Sequence, residues 1–433
     1  MRKIARLNNT LANTGWLFVD KILRMSVNLI ISVWIAKYLG PKNFGLLNYA
    51  LSIIMIVSAV TPLGLVGIVV RDLVKQPNKK NVILGTSFSL RLISSIIGFC
   101  LLMILVWFNN DDTTTNYVLL ILAFSVLFQP LEIIAIWFES EVKSKYTVIS
   151  KGIVFAIISA LKLLSIILNL NLIIIAWIFS LELILGSISL LIIFLYKKNS
   201  MRVWSFNKSI AIDMLKQSWP LIFSSMAAII YMKVDQIMLK HLVDEVAVGI
   251  YSVAVRLTEA WYFIPIAIVS SYFPKLVKDK IESKDKYFKN LQKLLDLLFV
   301  MSFTLAIVTS FLSGYVIDFL FGEEYIESAN VLSIQIWTGV FVFLRTLLSK
   351  WLINEGLLIY SLVSHGLGAV SNILLNLILI PNYGATGASI ATLISYSVST
   401  YLFLFLSRKT FPLAKLMTKS LLIFIRIIKL SRK

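Results

Sequence analysis

Cysteine and histidine are nearly missing: one Cys and two His occur in 433 residues. A single Cys100 excludes a disulfide framework, and the isolated His241 and His365 exclude a histidine-built metal site. No metal site and no resident cofactor are expected. Charge is also scarce, at 15% of residues, and acids are outnumbered by bases, 22 against 41. There is no Gly-x4-Gly-Lys-Ser/Thr loop to cradle phosphates, which excludes an intrinsic ATPase of that type. Gly-x-Ser-x-Gly, His-Glu-x-x-His and paired-cysteine motifs are absent too, so no enzyme is read from the motifs. The first apolar run is too long and too charged for a cleaved secretory signal, and no small-residue cleavage pattern follows it.

Apolar residues dominate what is there: 58% of the chain is hydrophobic, and the mean hydropathy is +0.87. A soluble domain cannot bury that much apolar surface, so lipid is the solvent for most of this chain. The formal charge of +19 would suggest nucleic acid in a soluble protein. Here the bases sit in short loops between apolar runs, which is a pattern of membrane topology and implies no nucleic-acid partner.

Twelve runs reach the roughly 20 residues that a bilayer crossing needs. They cover 14–37, 47–70, 82–108, 116–138, 149–168, 172–196, 217–239, 247–273, 290–312, 330–350, 358–380 and 385–406. In lipid a helix satisfies its own backbone, so all twelve are expected to be α. Alternate loops collect the bases: 31 fall on one side, and only Lys37, Lys42 and Lys240 on the other. Both termini are therefore expected in the cytoplasm. The opposite loops are short and lean acidic, with Asp111, Asp112, Asp318, Glu323, Glu324 and Glu327.

The chain repeats itself. Gly45, Ala50, Pro62 and Leu73-Val74-Lys75 return as Gly249, Ala254, Pro265 and Leu276-Val277-Lys278, at an offset of 204 slipping to 203. Tyr146, Ser150 and Gly152 return as Tyr360, Ser364 and Gly366, 214 residues on. Six spans per copy leave both copies with the same membrane orientation, which makes them parallel repeats with a binding site expected where they meet. The expected architecture is an all-α polytopic membrane protein of two six-helix lobes, 1–200 and 201–408, with a basic amphipathic cytoplasmic tail at 409–433. The tail stripe of Lys415, Lys419, Arg426, Lys429 and Lys433 suits a helix lying on the anionic inner leaflet.

Charges inside the spans are the candidate functional residues. The bases are Lys21, Arg24, Arg91, Lys162, Lys233, Arg256 and Arg345. Each charge at bilayer depth costs on the order of 2.5–3.5 kcal/mol by insertion scales, so each is expected to face a partner or water. Arg91, Arg345 and Lys233 lie close enough to a span end to snorkel. Lys21, Arg24, Lys162 and Arg256 are deeper. The deep acids are Asp20, Glu132, Glu182, Asp235, Glu259 and Asp296. Asp20 and Arg24 have i,i+4 spacing, and Arg256 and Glu259 i,i+3 spacing, so intrahelical pairing is one reading. So many charges exceed what helix packing needs. The other reading is a hydrated central cavity that binds an anion, chiefly through Arg24 and Arg256, with Lys21, Lys162, Arg91 and Arg345 as further candidates. Asp235 is either a counter-ion to Arg256 or a protonatable coupling site, with Glu259, Asp20, Glu132 and Glu182 as further counter-ions. A coupling cation, H⁺ or Na⁺, is left open. Pro62 and Pro265 occupy matching places and are expected to kink matching helices where a gate would bend. Gly384, Gly387, Ala388 and Ala391 form a small-residue face on the last span.

Several ordered motifs then carry a resemblance. They are Tyr38-Leu-Gly-Pro-Lys-Asn-Phe-Gly45, Trp137-Phe-Glu-Ser-Glu-Val-Lys-Ser-Lys-Tyr146, Trp219-Pro220 and Val234-Asp-Gln-Ile-Met238. Gly249-Ile-Tyr-Ser-Val-Ala254, Glu259-Ala-Trp-Tyr-Phe-Ile-Pro265 and Pro381-Asn-Tyr-Gly-Ala-Thr-Gly-Ala388 complete the set. On twelve spans in this order, the chain resembles the O-antigen flippases of polysaccharide biosynthesis, in the superfamily that also holds MATE drug antiporters and lipid II flippases. The resemblance implies two six-helix lobes in a V around a central cavity in the bacterial cytoplasmic (inner) membrane. It implies an undecaprenyl-pyrophosphate-linked oligosaccharide as cargo, moved from inner to outer leaflet, with polysaccharide polymerase machinery as a further partner. Buried Arg and Lys would then meet the pyrophosphate or acidic sugars. Where that family usually carries Gln-Gly, this chain has Glu139-Ser140. Aligned by the repeat, Arg256 falls opposite Ser52, so the scaffold repeats and the charges do not. A cation-coupled drug antiporter is the competing reading, although deep bases favour anionic cargo. An O-antigen polymerase or ligase ranks third, because the longest outer loop is short and acidic and lacks both Arg and His.

Overall fold

The computed structural model describes the backbone over 2–108 and 112–426, and side chains at Asp20, over 22–108 and over 112–426. Among the described residues every regular element is helical. In chain order the α-helices are α1 (Arg2–Val60), α2 (Val66–Lys75), α3 (Lys80–Phe108), α4 (Thr113–Phe124), α5 (Ile133–Ser140), α6 (Lys145–Ile167) and α7 (Leu172–Tyr196). There follow α8 (Lys208–Leu242), α9 (Glu245–Glu259), α10 (Phe263–Glu282), α11 (Lys284–Phe321), α12 (Ser328–Asn354), α13 (Leu358–Thr400) and α14 (Phe411–Leu421). A 3₁₀ segment, Ser125–Glu132, joins α4 to α5, and another, Leu402–Leu406, follows α13.

Among the described residues ten helical runs are long and apolar enough to cross a membrane, against the twelve spans expected. The difference lies at two glycines. Ile22–Val60 and Leu358–Leu406 each hold two of the expected spans. The first is broken at Gly40 (φ 68°, ψ 170°) and the second at Gly384 (φ 54°, ψ −132°). Positive φ costs glycine little and other residues much, so each break is written into the motif carrying it. Pro41 and Pro381 flank the two turns.

The expected proline kinks are fuller breaks. Between α1 and α2 the chain leaves the helix at 61–64, with Leu63 (φ 52°) and Gly64 (φ 61°) both left-handed beside Pro62. Between α9 and α10 it turns at 260–262, with Pro265 in the first turn of α10. Irregular backbone at bilayer depth persists only where protein or water satisfies it. At the first break Gln129, on the 3₁₀ segment, accepts from Thr61 Oγ1 and donates to Ser58 Oγ at 2.6 Å. A 3₁₀ run of eight residues is long for its kind, and Pro130 within it removes a backbone donor.

The helices are apolar outward and polar inward. On α3, Ile93, Ile96, Ile97, Leu101 and Ile104 are exposed in a row at helical spacing, while Thr86, Ser87, Arg91 and Ser95 are buried. Water would favour the reverse; lipid favours this. The protein is a multi-pass membrane protein.

The chain forms two compact units, Met1–Ile229 and Ile230–Lys433. In unit 1 a core of Leu65, Val69, Leu84, Ile134 and Phe138 gathers α2, α3, α5 and α7. Trp137, from the second motif, sits edge-on to Phe194 at 5.1 Å, with Lys80 Nζ 4.3 Å from its ring centre. In unit 2, Leu295, Leu298, Leu344 and Leu348 interlock α11 with α12. The α14 helix buries Leu413, Ala414 and Met417 in the same core. The apolar stripe of the tail, expected to face the leaflet, thus faces protein as far as α14 is concerned. Asp296 reinforces the attachment, accepting from Ser420 Oγ at 2.6 Å and pairing with Arg426 at 3.4 Å. Lys429 and Lys433 of the expected stripe lie outside the described residues.

Candidate functional site

In unit 1 most intramembrane charges have charged partners. Arg24 Nε meets Asp20 Oδ1 at 2.8 Å, the intrahelical pair that the spacing suggested. Lys162 Nζ meets Glu182 Oε2 at 2.5 Å and stands 4.0 Å from the Phe179 ring centre. Lys151 Nζ meets Glu132 Oε2 at 2.6 Å. The last two pairs join α6 to α7 and α6 to the 3₁₀ segment, helices that the sequence does not pair in advance. Arg91 is only 5% exposed, and its Nε and Nη1 have no hydrogen-bond partner. It feels the charge of Glu132 without bonding to it. The Lys21 side chain lies outside the described residues.

Arg24 differs from Lys162 in two ways. Its side chain keeps 22% of its surface exposed, against 4% for Lys162. Its Nη2 is buried without a hydrogen-bond partner, even though Nε is satisfied. The guanidinium stacks 4.9 Å from the Phe155 ring centre, and a Cβ on Gly152 would stand 3.8 Å from Nη2. A cation fixed by one acid and one aromatic face, with a donor to spare, is equipped to receive an anionic oxygen. Unit 1 also has a cavity of about 460 Å³ where α2 ends and α8 begins, lined by Arg71, Lys75, Lys79 and Asp213. Arg71 is bonded there to Asp72 and to Gln217, at 2.8 Å each.

Unit 2 is built differently. Lys233 Nζ reaches Glu259 Oε1 at 3.3 Å, from α8 to the last turn of α9. Arg256 stands one turn before Glu259 and feels the same carboxylate. This Lys233–Glu259 pair lies beside the break at 260–262. Arg345 is buried and donates from Nη1 to Ser399 O at 2.6 Å, where Ser364 Oγ also donates at 3.0 Å. That arrangement ties α12 to α13 through a backbone carbonyl. His365 stacks on Tyr231 with ring centres 5.8 Å apart.

Asp235 is fully buried on α8. Its Oδ2 accepts from Tyr251 Oη and Thr392 Oγ1, each at 2.6 Å, and its Oδ1 from Asn376 Nδ2 at 2.5 Å. Asn376 Nδ2 also donates to Asn372 Oδ1 at 3.2 Å. Every one of these partners is neutral, so Asp235 is not the counter-ion of Arg256. Asn376 Oδ1 and Asn372 Nδ2 remain buried without partners. Asn372, Asn376 and Thr392 went unread in the sequence, and Tyr251 was read only as part of the Gly249–Ala254 motif. The usable signal was two amides at i,i+4 inside an otherwise apolar span.

Among the described residues no three Cys, His, Asp or Glu side chains gather as a metal-binding group. A cage of one carboxylate, two amides and two hydroxyls still offers hard oxygens of the kind that hold H⁺ or Na⁺.

With this geometry in hand, comparison with known proteins identifies the family. A family model described as polysaccharide biosynthesis protein matches residues 10–280, and the chain belongs to that family. The capsular polysaccharide biosynthesis protein CapF of Staphylococcus aureus is 24% identical over 409 residues, spanning 92% of this chain and 99% of CapF. Among solved structures, the lipid II flippase MurJ in an inward closed conformation superposes with a TM-score of 0.73. Its identity is 19%, over 96% of this chain and 92% of that one. An inward-facing multidrug resistance MATE family transporter of the MOP superfamily gives the same TM-score of 0.73 at 15% identity, over 92% and 96% of the two chains. The fold is that of these transporters.

Proposed function

We propose that this protein is a flippase that moves an undecaprenyl-pyrophosphate-linked oligosaccharide from the inner to the outer leaflet of the bacterial cytoplasmic membrane. The cargo is an O-antigen-like or capsule-like repeat unit, supplied to polysaccharide polymerase machinery, with both termini of the chain in the cytoplasm. Transport proceeds by alternating access, and the protein makes and breaks no covalent bond. The observation that carries this reading is Arg24, a part-exposed intramembrane guanidinium with a buried donor to spare. Membership of a polysaccharide biosynthesis family and the likeness to CapF support the same cargo class.

The diphosphate brings anionic oxygens through a medium where an unmatched charge is costly. Arg24 supplies compensating positive charge in this reading. Asp235 serves as the coupling site. A proton on its carboxyl, or Na⁺ among its oxygens and Asn376 Oδ1, would neutralise the buried carboxylate. Tyr251, Thr392 and Asn376 position the group in either case.

The cation-coupled drug antiporter would use the same carboxylate cage, but it gives the deep bases no task. The two readings separate in cells. Depletion of the flippase should trap the lipid-linked repeat unit in the inner leaflet, out of reach of an impermeant surface label. Unchanged surface labelling, together with a gain in drug sensitivity, would replace the flippase by the antiporter.

A further inference from the structure

At one end of unit 2, the turn between α8 and α9, the start of α12 and the glycine break of α13 surround a cavity of about 500 Å³. Its size falls within the range of small-ligand sites. The walls carry Asp244, Glu327, Asn330, Tyr383 and Thr386, and neither Lys nor Arg lines it. These loops belong to the side that the distribution of bases assigns to the outside of the cell.

The chemistry of the walls narrows the occupant. A phosphate is disfavoured, because two carboxylates and no base face it. A lipid chain is disfavoured, because Asp244, Glu327, Asn330 and Thr386 stand among the apolar Val243, Val246, Ile250 and Val331 of the wall. Asp244 already spends one oxygen capping α9 through Ala247 N, at 2.8 Å, which leaves little for a bare cation. The Glu327 side chain is exposed, and Tyr383 exposes 61% of its surface. Gly384 forms part of the wall in a positive-φ conformation, and a Cβ there would meet nothing within 4 Å. The backbone thus leaves the space open instead of filling it.

A carboxylate that accepts, an amide and a hydroxyl that do both, and an exposed aromatic face form a set suited to a neutral, hydroxyl-rich ligand. We infer that this cavity is a glycan-docking site, which holds sugar residues of the cargo on the outer face after or during release. The inference rests on the flippase reading and extends it from the diphosphate to the sugar.

The test uses the full chain in lipid nanodiscs and three ligands. These are the host's lipid-linked repeat unit, the same oligosaccharide freed from its lipid by mild acid, and undecaprenyl diphosphate without sugar. Wild type should bind all three. Glu327→Gln and Tyr383→Ala should each weaken the free oligosaccharide about tenfold or more, and Thr386→Val by less, by loss of hydrogen bonds or of the aromatic face. Undecaprenyl diphosphate should bind every variant as it binds wild type, which also verifies that each variant is folded. Free oligosaccharide that binds the variants as tightly as wild type, or does not bind wild type at all while the lipid-linked form does, overturns the docking site alone. Calcium binding lost in Glu327→Gln with glycan binding intact overturns it in favour of a cation site. Wild type that binds neither the lipid-linked unit nor undecaprenyl diphosphate removes the flippase reading itself.

Discussion

Unit 1 matches charge with charge, whereas unit 2 holds its most buried carboxylate with neutral donors. Lys162–Glu182, Lys151–Glu132 and Arg24–Asp20 are ion pairs within 3 Å. Asp235 has instead a tyrosine, a threonine and an asparagine. An ion pair in a dry site is a closed arrangement, since removing either partner strands the other. A carboxylate held by neutral groups strands no opposite charge when it is neutralised. In the proposed reading Arg24 is the fixed charge and Asp235 the variable one.

The largest expected effect comes from breaking a pair in unit 1. Glu182→Leu takes from the buried Lys162 its Glu182 partner and should cost about 3–5 kcal/mol, read as a large loss of thermal stability in detergent. Adding Lys162→Met should restore most of it; if it does not, the pair is more than electrostatic. Next, Asp235→Leu takes the carboxylate acceptor from Asn376, at about 1–3 kcal/mol, while the Tyr251 and Thr392 hydroxyls, 3.1 Å apart, turn to each other. Asp235→Asn keeps the shape and should change stability by less, yet abolish any dependence of transport on H⁺ or Na⁺. Retained dependence would remove Asp235 from coupling and erase the contrast between the units. Smaller still in stability is Arg24→Gln. Its pair is part-exposed, so about 0–1 kcal/mol is expected, with transport lost all the same. The smallest effect belongs to Lys143→Ala, whose exposed pair with Glu141 should contribute under about 1 kcal/mol and nothing to transport.

The apolar runs and the bases between them made the all-helical, multi-pass architecture legible, because lipid imposes both length and charge placement. The division into spans was legible too, since Gly40 and Gly384 break two long helical runs between the spans 14–37 and 47–70 and between 358–380 and 385–406. Local pairing was readable for Asp20 and Arg24, since four residues on a helix are neighbours. Lys162 and Glu182 were both marked as deep, but their meeting depends on how α6 packs on α7. Asp235 was marked too, and its counter-ion reading failed because Asn376 and Thr392 lie 141 and 157 residues away. The tail illustrates a different limit. An amphipathic stripe reveals that one face is buried, not whether protein or lipid covers it, and α14 uses protein.

The most direct measurement reconstitutes the purified protein in liposomes that carry the lipid-linked oligosaccharide in one leaflet, and follows its exposure to an impermeant sugar oxidant. Wild type should expose the sugar faster than protein-free liposomes, with Arg24→Gln and Asp235→Asn near the protein-free rate. Wild-type liposomes indistinguishable from empty ones, or an Arg24→Gln variant as fast as wild type, would contradict the account.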